Sequence, residues 1–544
     1  MGAYEEVSAE YHALSIGLAD AAADGSAAGD ARAATLQLRV FDDGLGFRLV
    51  LGEGFASNSE RAVVKSENTG VDFADDYTAW WIANAVTNPR FEQEYAETPL
   101  SEIPGESDDR RPSDTPMRTG AHTPLTVDAG DAYLSVREAN LDDYAAATLA
   151  PRSDDGETAF ATELTPLPDG TRASLELPAA TPWRTIQVVD GPGELIESQL
   201  VPLLADPLDE SALPTAGGAP DTDWIEPRKY VGIWWTMIAG QANWEYKSDD
   251  EIAGGDNNPA AYIHGARTER MKRYMRFASE NGIDSVLVEE WNEGWDTYPG
   301  DGTGFGFGVE DSYPDFDVSE VTDFGAGLPD PVEMTIHNET AGNIPQYEAA
   351  VLDEDVFAGY EAEGINSIKN GYVSDPGLGI DGDGAEPTHN QHNQLAVNHH
   401  RRVIREAAAN RQLLEIHEGI KPTGEIRTYP NLANREVVKA QEYDGFGQLG
   451  SNVGRDHHVT VPKTALGGSD ISDWEVLPVV GSADFGSFRA VQVDDSGFIF
   501  GGAKEGAAGN APRVIDMITP EGVSQADALN YDADTLASLP FTSL

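Results

Sequence analysis

The sequence has no cysteine among its 544 residues. Disulfide bonds, thiolate metal sites, iron–sulfur clusters and cysteine nucleophiles are therefore excluded, and any metal must be bound by oxygen atoms and imidazoles. It also lacks an apolar run of about 18 residues, the length that a membrane-spanning helix requires. The first residues, MGAYEEVSAEY, show neither the basic nor the apolar segment of a signal peptide, so localisation stays open.

Basic residues are scarce, because 35 Lys and Arg stand against 94 Asp and Glu and give a formal net charge of −59. Such a surface repels nucleic acid and anionic membranes. The charge is typical either of a disordered acidic chain or of a folded protein adapted to high salt, where screening weakens self-repulsion. The 10 Trp, 18 Tyr and 18 Phe, with apolar runs such as YVGIWW and SVLVEEW, favour a folded halophilic protein.

Length and pattern together predict a multidomain protein of class α/β + β. A chain of this length usually forms two or three domains of roughly 100 to 250 residues. Residues 1–222 contain short alternating segments such as ATLQLRVFD and AYLSVREA, which indicate an antiparallel β-sandwich. In residues 223–465, apolar strands alternate with amphipathic helices and predict a (β/α) barrel. Residues 466–544 return to short strands and predict a C-terminal β domain.

Active sites of (β/α) barrels lie at the C-terminal ends of the strands, so the residues that follow each apolar run are the candidates. They are Trp235, Glu289, Glu290, His337, Glu339, Lys369, His417 and Glu418, with Glu436 and Glu442 after the next loop. About one residue in six of this chain is acidic, and a single carboxylate there is often only a solvated loop residue. The agreement of five strand ends is what indicates a site.

The chemistry of this group points to metal binding and to sugar hydrolysis. Several carboxylates in one cleft need a cation or shared protons, and Ca²⁺ accepts irregular oxygen ligands more readily than Mg²⁺. Paired carboxylates, one protonated and one ionised, are the groups that glycoside hydrolysis requires. Tryptophans such as Trp234, Trp244, Trp291 and Trp295 can stack on sugar rings, although two or three of them are expected in the core.

Several segments together resemble glycoside hydrolase family 97, the family of the starch-utilisation α-glucosidases. The most specific are KYVGIWWTM, GIDSVLVEEWNEGWD, SYPDFDVSEV, IHNETAGNIPQYE, GINSIKNGYV, HEGIKPTGEIRTYPNLANREVVKAQEYD and DHHVTVP. The resemblance implies an N-terminal β-supersandwich, a catalytic (β/α)8-type barrel and a C-terminal β domain, which agrees with the three zones above.

The resemblance also implies residue roles. Glu442, in AQEYD, matches the general acid, and Glu339 and Glu418, in HNET and IHEG, match the carboxylates that activate water. The residues that match calcium ligands are Glu418, Glu436 and Glu442, with Glu138 of the N-terminal domain as the expected fourth. The residues that match sugar-binding positions are His337, His417, Lys369 and Glu289.

Two positions separate the inverting from the retaining members of the family. Retaining members have their nucleophilic Asp where this chain has Gly371, and Gly where it has Glu418. Both positions indicate inversion, for which acid and base carboxyls lie about 6.5 to 9.5 Å apart. We therefore expect a calcium-dependent, inverting hydrolase that cleaves α-glucosidic bonds of short α-glucans.

The sequence departs from the family in ways that leave alternatives open. It begins late, so we expect the sandwich to lack its first strands, and DHHVTVPKTAL is followed almost at once by DISDWEVLPVV, so we expect an incomplete barrel. Either the enzyme tolerates this, or another chain completes the barrel, or the protein is an inactive carbohydrate-binding remnant. A family member of other specificity, such as an α-galactosidase, is a further alternative that Glu418 and Gly371 disfavour. Whether the protein is a monomer or a homo-oligomer is undecided.

Overall fold

The fold is taken from a computed structural model. It describes residues 7–19, 33–56, 60–83, 95–105, 120–152, 158–167, 169–226, 228–238, 242–248, 264–295, 304–341, 343–373, 392–436, 491–494 and 497–500. Among the helices in these ranges, none combines the length and the hydropathy that a membrane span requires.

The N-terminal part is built from short antiparallel strands. In chain order they are β1 (His12–Ala19), β2 (Ala33–Phe41), β3 (Gly44–Leu51), β4 (Arg61–Val64), β5 (Gly70–Asp72), β6 (Thr78–Trp81), β7 (Ala96–Pro99), β8 (Ala121–His122), β9 (Leu125–Asp128), β10 (Tyr133–Ala139), β11 (Ala147–Pro151), β12 (Ala159–Leu164), β13 (Ala173–Glu176), β14 (Ala179–Ala180), β15 (Trp183–Val189), β16 (Thr215–Ala216) and β17 (Ala219–Pro220).

Two of these sheets pack face to face. A nine-stranded sheet has the order β1-β2-β3-β15-β10-β9-β6-β7, with β14 beside β3, and a four-stranded sheet has the order β5-β12-β11-β8. Their inner faces share one apolar cluster, in which Phe160 of β12 packs with Trp81 of β6 and Leu125 of β9. The predicted β-sandwich is therefore confirmed. Two short helices, α1 (Pro192–Glu197) and α2 (Leu200–Leu204), follow β15, and α2 packs its buried leucines against Trp183.

The central part is a parallel sheet whose strands are joined by helices. Its strands are β18 (Tyr230–Gly232), β19 (Ser285–Val288), β20 (Glu333–Glu339), β21 (Ser367–Gly371), β22 (Leu413–His417) and β23 (Leu432–Glu436), paired in that order. The helices are α3 (Trp234–Ile238), α4 (Thr268–Glu280), α5 (Val318–Ala326), α6 (Ile344–Leu352), α7 (Val356–Ala362), α8 (Gln394–Ala409) and α9 (Glu425–Thr428).

This parallel sheet is curled, as a barrel wall must be. Strands β18 and β22 are separated by three other strands, which in a flat sheet would place them about 19 Å apart. The hydroxyl of Tyr230 on β18 nevertheless donates a hydrogen bond to the Glu415 carboxylate on β22, at 2.8 Å from one oxygen. The six strands therefore form an arc around a common interior. Within the described ranges, the end strands β18 and β23 do not pair with each other.

The helices follow the sequence pattern with two local differences. On α4, Met271, Tyr274, Met275 and Ala278 recur at helical spacing, which predicts one apolar face, and this face is fully buried against the sheet. The pattern of EAAVLDEDVFAGYEAEG predicts one helix, but the segment forms two, because the chain turns through a left-handed conformation at Asp355 (φ 56°). The strand expected to run to Trp235 stops at Gly232, and Trp235 lies within helix α3.

The loop after β22 joins the barrel to the N-terminal domain. The Asn140 amide donates to the Thr423 carbonyl at 2.7 Å, and the Leu141 amide donates to the Thr423 hydroxyl at 3.0 Å. Lys421 of the same loop is buried and its Nζ lies 2.7 Å from Glu138 Oε1 on β10. The segment that begins at Glu418 is thus held from both sides.

The remaining described elements form a hairpin of β24 (Val491–Asp494) and β25 (Gly497–Phe500). The expected loss of barrel units and the DHHVT segment lie outside the described residues, as does most of the polar segment SDPGLGIDGDGAEPTHNQHNQ, which the sequence pattern predicts to be a surface loop inserted between β21 and α8.

Candidate active site

The inward-facing side chains of the arc meet at the carboxyl ends of its strands. Side chains alternate along a strand, so residues two positions apart, such as His337 and Glu339 on β20, share the inner face. Parallel pairing then sets His337 beside Lys369 and His417 beside Glu436 across neighbouring strands. The residues brought together are Glu289, His337, Glu339, Lys369, Glu415, His417, Glu418 and Glu436, all buried. These include seven of the nine residues predicted for the site.

Three of the strand ends leave the β conformation through a left-handed residue. The φ angles are 55° at Glu290 after β19, 46° at Ala341 after β20 and 49° at Glu418 after β22. A residue with a Cβ in this region costs about 1–3 kcal/mol, and such strain concentrates at functional sites. The sharp turns keep Glu290 and Glu418 at the rim of the arc.

Lys369 forms the main ion pair of the site. Its Nζ donates to Glu289 Oε1 at 2.7 Å, with both groups buried, and it also lies 5.6 Å from the centre of the Trp234 ring. A buried ammonium in contact with one carboxylate and one aromatic face is fixed in position. Lys369 and Glu289 therefore form a rigid polar wall on the side of β19 and β21.

Glu339 and Gly371 are neighbours across β20 and β21. A Cβ added to Gly371 would lie 2.1 Å from Glu339 Oε2 and 2.9 Å from His337 Nε2, so the Glu339 carboxyl occupies the space of a side chain at that position. The Ala341 amide donates to Glu339 Oε1 at 2.7 Å. Burial and the nearby Glu418 charge raise the pKa of Glu339 to about 8, which leaves it protonated at neutral pH.

Glu418 is held by a backbone amide near Glu339. The Tyr372 amide donates to Glu418 Oε2 at 3.2 Å, and only 7% of Glu418 is exposed. Glu339 and Glu418 interact electrostatically, as the pKa of Glu339 shows. The two carboxyls predicted to activate water thus share one buried space.

His337 is a neutral imidazole in this site. Burial, together with the charges of Lys369 and His417, lowers its pKa well below the usual value. Its Nε2 lies 3.8 Å from Glu339 Oε2, and its Nδ1 is buried without a hydrogen-bond partner within the described residues. One ring nitrogen therefore remains able to bond a ligand.

His417 stands between two carboxylates. Its Nε2 lies 2.9 Å from Glu415 Oε1 and its Nδ1 lies 3.0 Å from Glu436 Oε2, while Tyr230 bonds Glu415 from the far side. The sequence prediction did not include Glu415 and Tyr230. The alternation of β22 carries a signal for Glu415, since it stands two residues before His417 and must share its face.

One group of side chains could hold a metal ion. Among the described residues, His417, Glu418 and Glu436 each offer a ligand atom, and these atoms all lie within 4.8 Å of one another. The two carboxylates suit a hard divalent cation, whereas the imidazole is a ligand more typical of transition metals. The group combines two of the predicted calcium ligands from two adjacent strand ends.

The other two predicted calcium ligands stand differently. Glu138 lies on β10, where Lys421 and Arg184 bind its two oxygens and the Ala147 amide donates to it at 3.0 Å. It is therefore engaged in two ion pairs, of which the one with Lys421 joins the two domains. Glu442, the predicted general acid, lies outside the described residues.

The aromatic residues divide into core and cleft. Trp291 and Trp295 are buried in the barrel core, as expected for part of the set, and the Trp291 indole donates to the His337 carbonyl at 2.6 Å. Trp234 and Trp244 are partly buried, and their rings meet edge to face at 4.5 Å. These two lie nearer the surface, on the side of Lys369.

Three protein-family descriptions match parts of this chain. Residues 234–438 match Glycoside hydrolase 97, and residues 1–207 match Glycosyl-hydrolase 97 N-terminal. Residues 433–540 match a domain described as the C-terminal binding-module, SLH-like, of glucodextranase.

Individual proteins are also similar to this chain. A Glycoside Hydrolase Family 97 enzyme from Pseudoalteromonas sp. strain K8, in complex with acarbose, superposes with a TM-score of 0.67 and 30% identity, covering 80% of this chain and 58% of that one. A β-arabinopyranosidase structure shares the fold, with a TM-score of 0.53, 18% identity, and coverage of 81% and 62%. The protein named Retaining alpha-galactosidase from Bacteroides thetaiotaomicron is 26% identical over 341 residues, 59% of this chain and 42% of its own length.

Proposed function

Because the chain carries the N-terminal and the catalytic domain of glycoside hydrolase family 97, we propose that it hydrolyses the α-glucosidic bonds of short α-glucans with inversion of configuration. The observation that carries the proposal is the arrangement of Glu339, Glu418 and Gly371. Two carboxyls lie together at the strand ends, and at the third position, Gly371, the Glu339 carboxyl occupies the space of a side chain.

Inversion requires a water molecule between a base and the sugar, and it requires no nucleophile. A carboxylate on Gly371 would attack the sugar from β21, but Glu339 fills that space, 2.1 Å from where a Cβ would stand. This arrangement favours a base that activates water over a residue that forms a covalent intermediate.

In the proposed reaction Glu442 donates its proton to the glycosidic oxygen as the bond to the anomeric carbon breaks. Glu418, or Glu339 in its ionised form, takes a proton from water, whose oxygen bonds to the anomeric carbon from the opposite face. The products are a free sugar of inverted anomeric configuration and the released alcohol. Glu442 then regains a proton from solvent, and the base releases one.

The residues present fit a calcium ion in part. Glu418 and Glu436 supply carboxylate oxygens beside His417, within the 4.8 Å group, and Glu442 is the further ligand that the family resemblance implies. Bound there, calcium would supply fixed positive charge that orients these carboxylates and favours their ionised forms. Glu418 would then serve both as ligand and as candidate base.

The sugar is held, in this proposal, by groups on the inner face of β19 to β22. Lys369 and Glu289 present a fixed ion pair, and the Nδ1 of His337 is available for a hydroxyl group. His417 is oriented by Glu415 and Glu436. Trp234 and Trp244 offer apolar faces toward a sugar ring.

Similarity to a protein named Retaining alpha-galactosidase makes α-galactoside hydrolysis the second candidate. That activity goes with retention, for which the family resemblance implies Asp at the position of Gly371 and Gly at that of Glu418. Neither residue is present. The space around Gly371 also opposes it.

Nuclear magnetic resonance of maltose hydrolysis in molar KCl with Ca²⁺ tests the proposal. Inversion of an α-glucoside yields β-glucose first, whereas retention yields α-glucose first. Glu339→Gln serves as the control for background hydrolysis, and an aryl α-galactoside is assayed in parallel. Maltose binding without turnover would instead establish a carbohydrate-binding remnant.

A further inference from the structure

Glu290 is a buried carboxyl group that no interaction within the described residues explains. It follows β19 directly after Glu289 and is 0% exposed. Both of its carboxyl oxygens lack a hydrogen-bond partner in the described part of the chain. Its backbone is also in the left-handed region, with φ 55°.

Each of these features is unfavourable for a residue that only fills space. A carboxyl group removed from water needs hydrogen bonds or a counter-charge. A side chain at positive φ adds strain that glycine would avoid. In a native fold such a combination calls for a specific explanation, and a bound ligand that completes the missing contacts is one.

The surroundings of Glu290 identify the place where such a ligand would bind. Burial raises the pKa of Glu290 well above the usual value, and the charges of Glu289, Lys369 and Glu339 also act on it. It therefore lies beside the wall that Lys369 and Glu289 form. In this position the Glu290 carboxyl can accept a hydrogen bond from a ligand, and its protonated form can also donate one.

Two further polar atoms near Lys369 are, like the Glu290 carboxyl oxygens, buried without a hydrogen bond from the residues that the structure describes. The Nδ1 of His337 and the indole Nε1 of Trp234 are buried without partners within the described ranges. His337 is paired with Lys369 in the sheet, and the Trp234 ring lies 5.6 Å from the Lys369 Nζ. Unsatisfied donors and acceptors on three elements thus surround one ammonium group.

We propose that Glu290 is a specificity-determining residue, whose carboxyl group hydrogen-bonds one hydroxyl of the sugar held beside Lys369 and Glu289. The inference rests on the proposed function, because it assigns a contact within the same site. A polyhydroxylated ring is the ligand chemistry that satisfies several neutral donors and acceptors at once. The position acts on recognition and takes no part in proton transfer at the scissile bond.

Kinetics with deoxygenated substrates test this inference. An aryl α-glucoside and its 2-, 3-, 4- and 6-deoxy analogues are assayed with the wild type, Glu290→Gly and Glu290→Gln. We expect kcat/KM of the wild type to fall about tenfold to a hundredfold for one analogue, the size of one hydrogen bond to a buried group. With the full sugar, kcat/KM of Glu290→Gly should be lower than that of the wild type by the same factor. For Glu290→Gly itself, kcat/KM should be the same with that analogue as with the full sugar.

Glu290→Gln and Glu293→Gln provide the controls. The amide keeps a donor and an acceptor, so Glu290→Gln should retain most of the discrimination. Glu293 is exposed three residues further on, and its replacement should change neither kcat/KM nor the discrimination. Because glycine suits φ 55°, Glu290→Gly should melt at the same or a higher temperature, which separates lost recognition from lost folding.

Failure of this inference differs from failure of the proposed function. If the wild type hydrolyses the glucoside, and each deoxy analogue lowers kcat/KM by the same factor in Glu290→Gly as in the wild type, Glu290 does not contact the sugar. If the wild type hydrolyses nothing, calorimetric titration with maltose replaces the rate assay. A weaker Kd in Glu290→Gly but not in Glu293→Gln then supports the contact, whereas equal Kd values, or no maltose binding, overturn it.

Discussion

Replacing Gly371 with alanine should disturb the geometry of the site much more than the stability of the fold. Gly371 is not among the glycines at positive φ, so its backbone accepts alanine and only the space around it matters. The new methyl group would stand 2.1 Å from Glu339 Oε2 and 2.9 Å from His337 Nε2. Glu339 must therefore move by about 1 Å or more to reach an ordinary contact of roughly 3.5 Å.

The expected effects of Gly371→Ala on stability and on activity differ in size. The obstructing atoms are tips of side chains, so the fold can admit the methyl group by rotating Glu339, at a cost of no more than about 1–3 kcal/mol. Displacing a reacting group by about 1 Å typically lowers the rate roughly a hundredfold, or about 2.7 kcal/mol in transition-state stabilisation. Activity should thus fall much further than stability.

The assay compares kcat/KM for an aryl α-glucoside with denaturant unfolding of the same preparations. Gly359→Ala is the matched control, because a Cβ at Gly359 in helix α7 meets nothing within 4 Å. That change should leave the rate unchanged and stabilise the protein by about 0.4–1 kcal/mol. A Gly371→Ala variant with wild-type kcat/KM would refute the placement of Glu339 in the reaction.

Three further predictions concern metal, acid and pH. Excess chelator should abolish hydrolysis and Ca²⁺ should restore it, whereas full activity in chelator would remove calcium from the proposal. Glu442→Gln should nearly abolish maltose hydrolysis but spare substrates with acidic leaving groups, which need little protonation; equal loss on both would exclude Glu442 as the acid. Burial alone would raise the pKa of Glu348, but hydrogen bonds from His399 and Arg402 outweigh it and lower the pKa from 4.5 to about 2. Its stabilisation is therefore present above pH 4.5 and lost as the pH falls toward 2, so the free energies of unfolding of wild type and Glu348→Gln should differ at pH 6 and converge in acid.

The order of strands and the identity of most site residues could be predicted from the sequence. A polar residue directly after an apolar run, as in LLEIHE, marks the carboxyl end of a strand, and parallel strands bring such ends to one edge. His337, Glu339 and Lys369 were found by this rule alone. Their burial side by side needs only the register of the sheet.

Contacts that cross the interior could not be predicted in this way. The bond between Tyr230 and Glu415 depends on how strongly the sheet curls, which no local pattern encodes. The left-handed conformation of Glu290 and Glu418 is similarly set by tertiary packing, since glutamate has no preference for it. Glu138 illustrates a third case, because its neighbours Lys421 and Arg184 come from separate domains.

The loop from Gly419 to Gly424 limits how this protein can be taken apart. The Lys421 ammonium donates to Glu138, Thr123 and the Ala147 carbonyl, all of which lie on the N-terminal domain. Thr423 accepts hydrogen bonds from the backbone amides of Asn140 and Leu141. A barrel expressed without that domain would expose Lys421 and Thr423, which are buried in the intact protein and lie close to Glu418 in the chain. We therefore expect a recombinant of two related proteins to preserve the site only when the loop and the N-terminal residues that contact it come from the same parent.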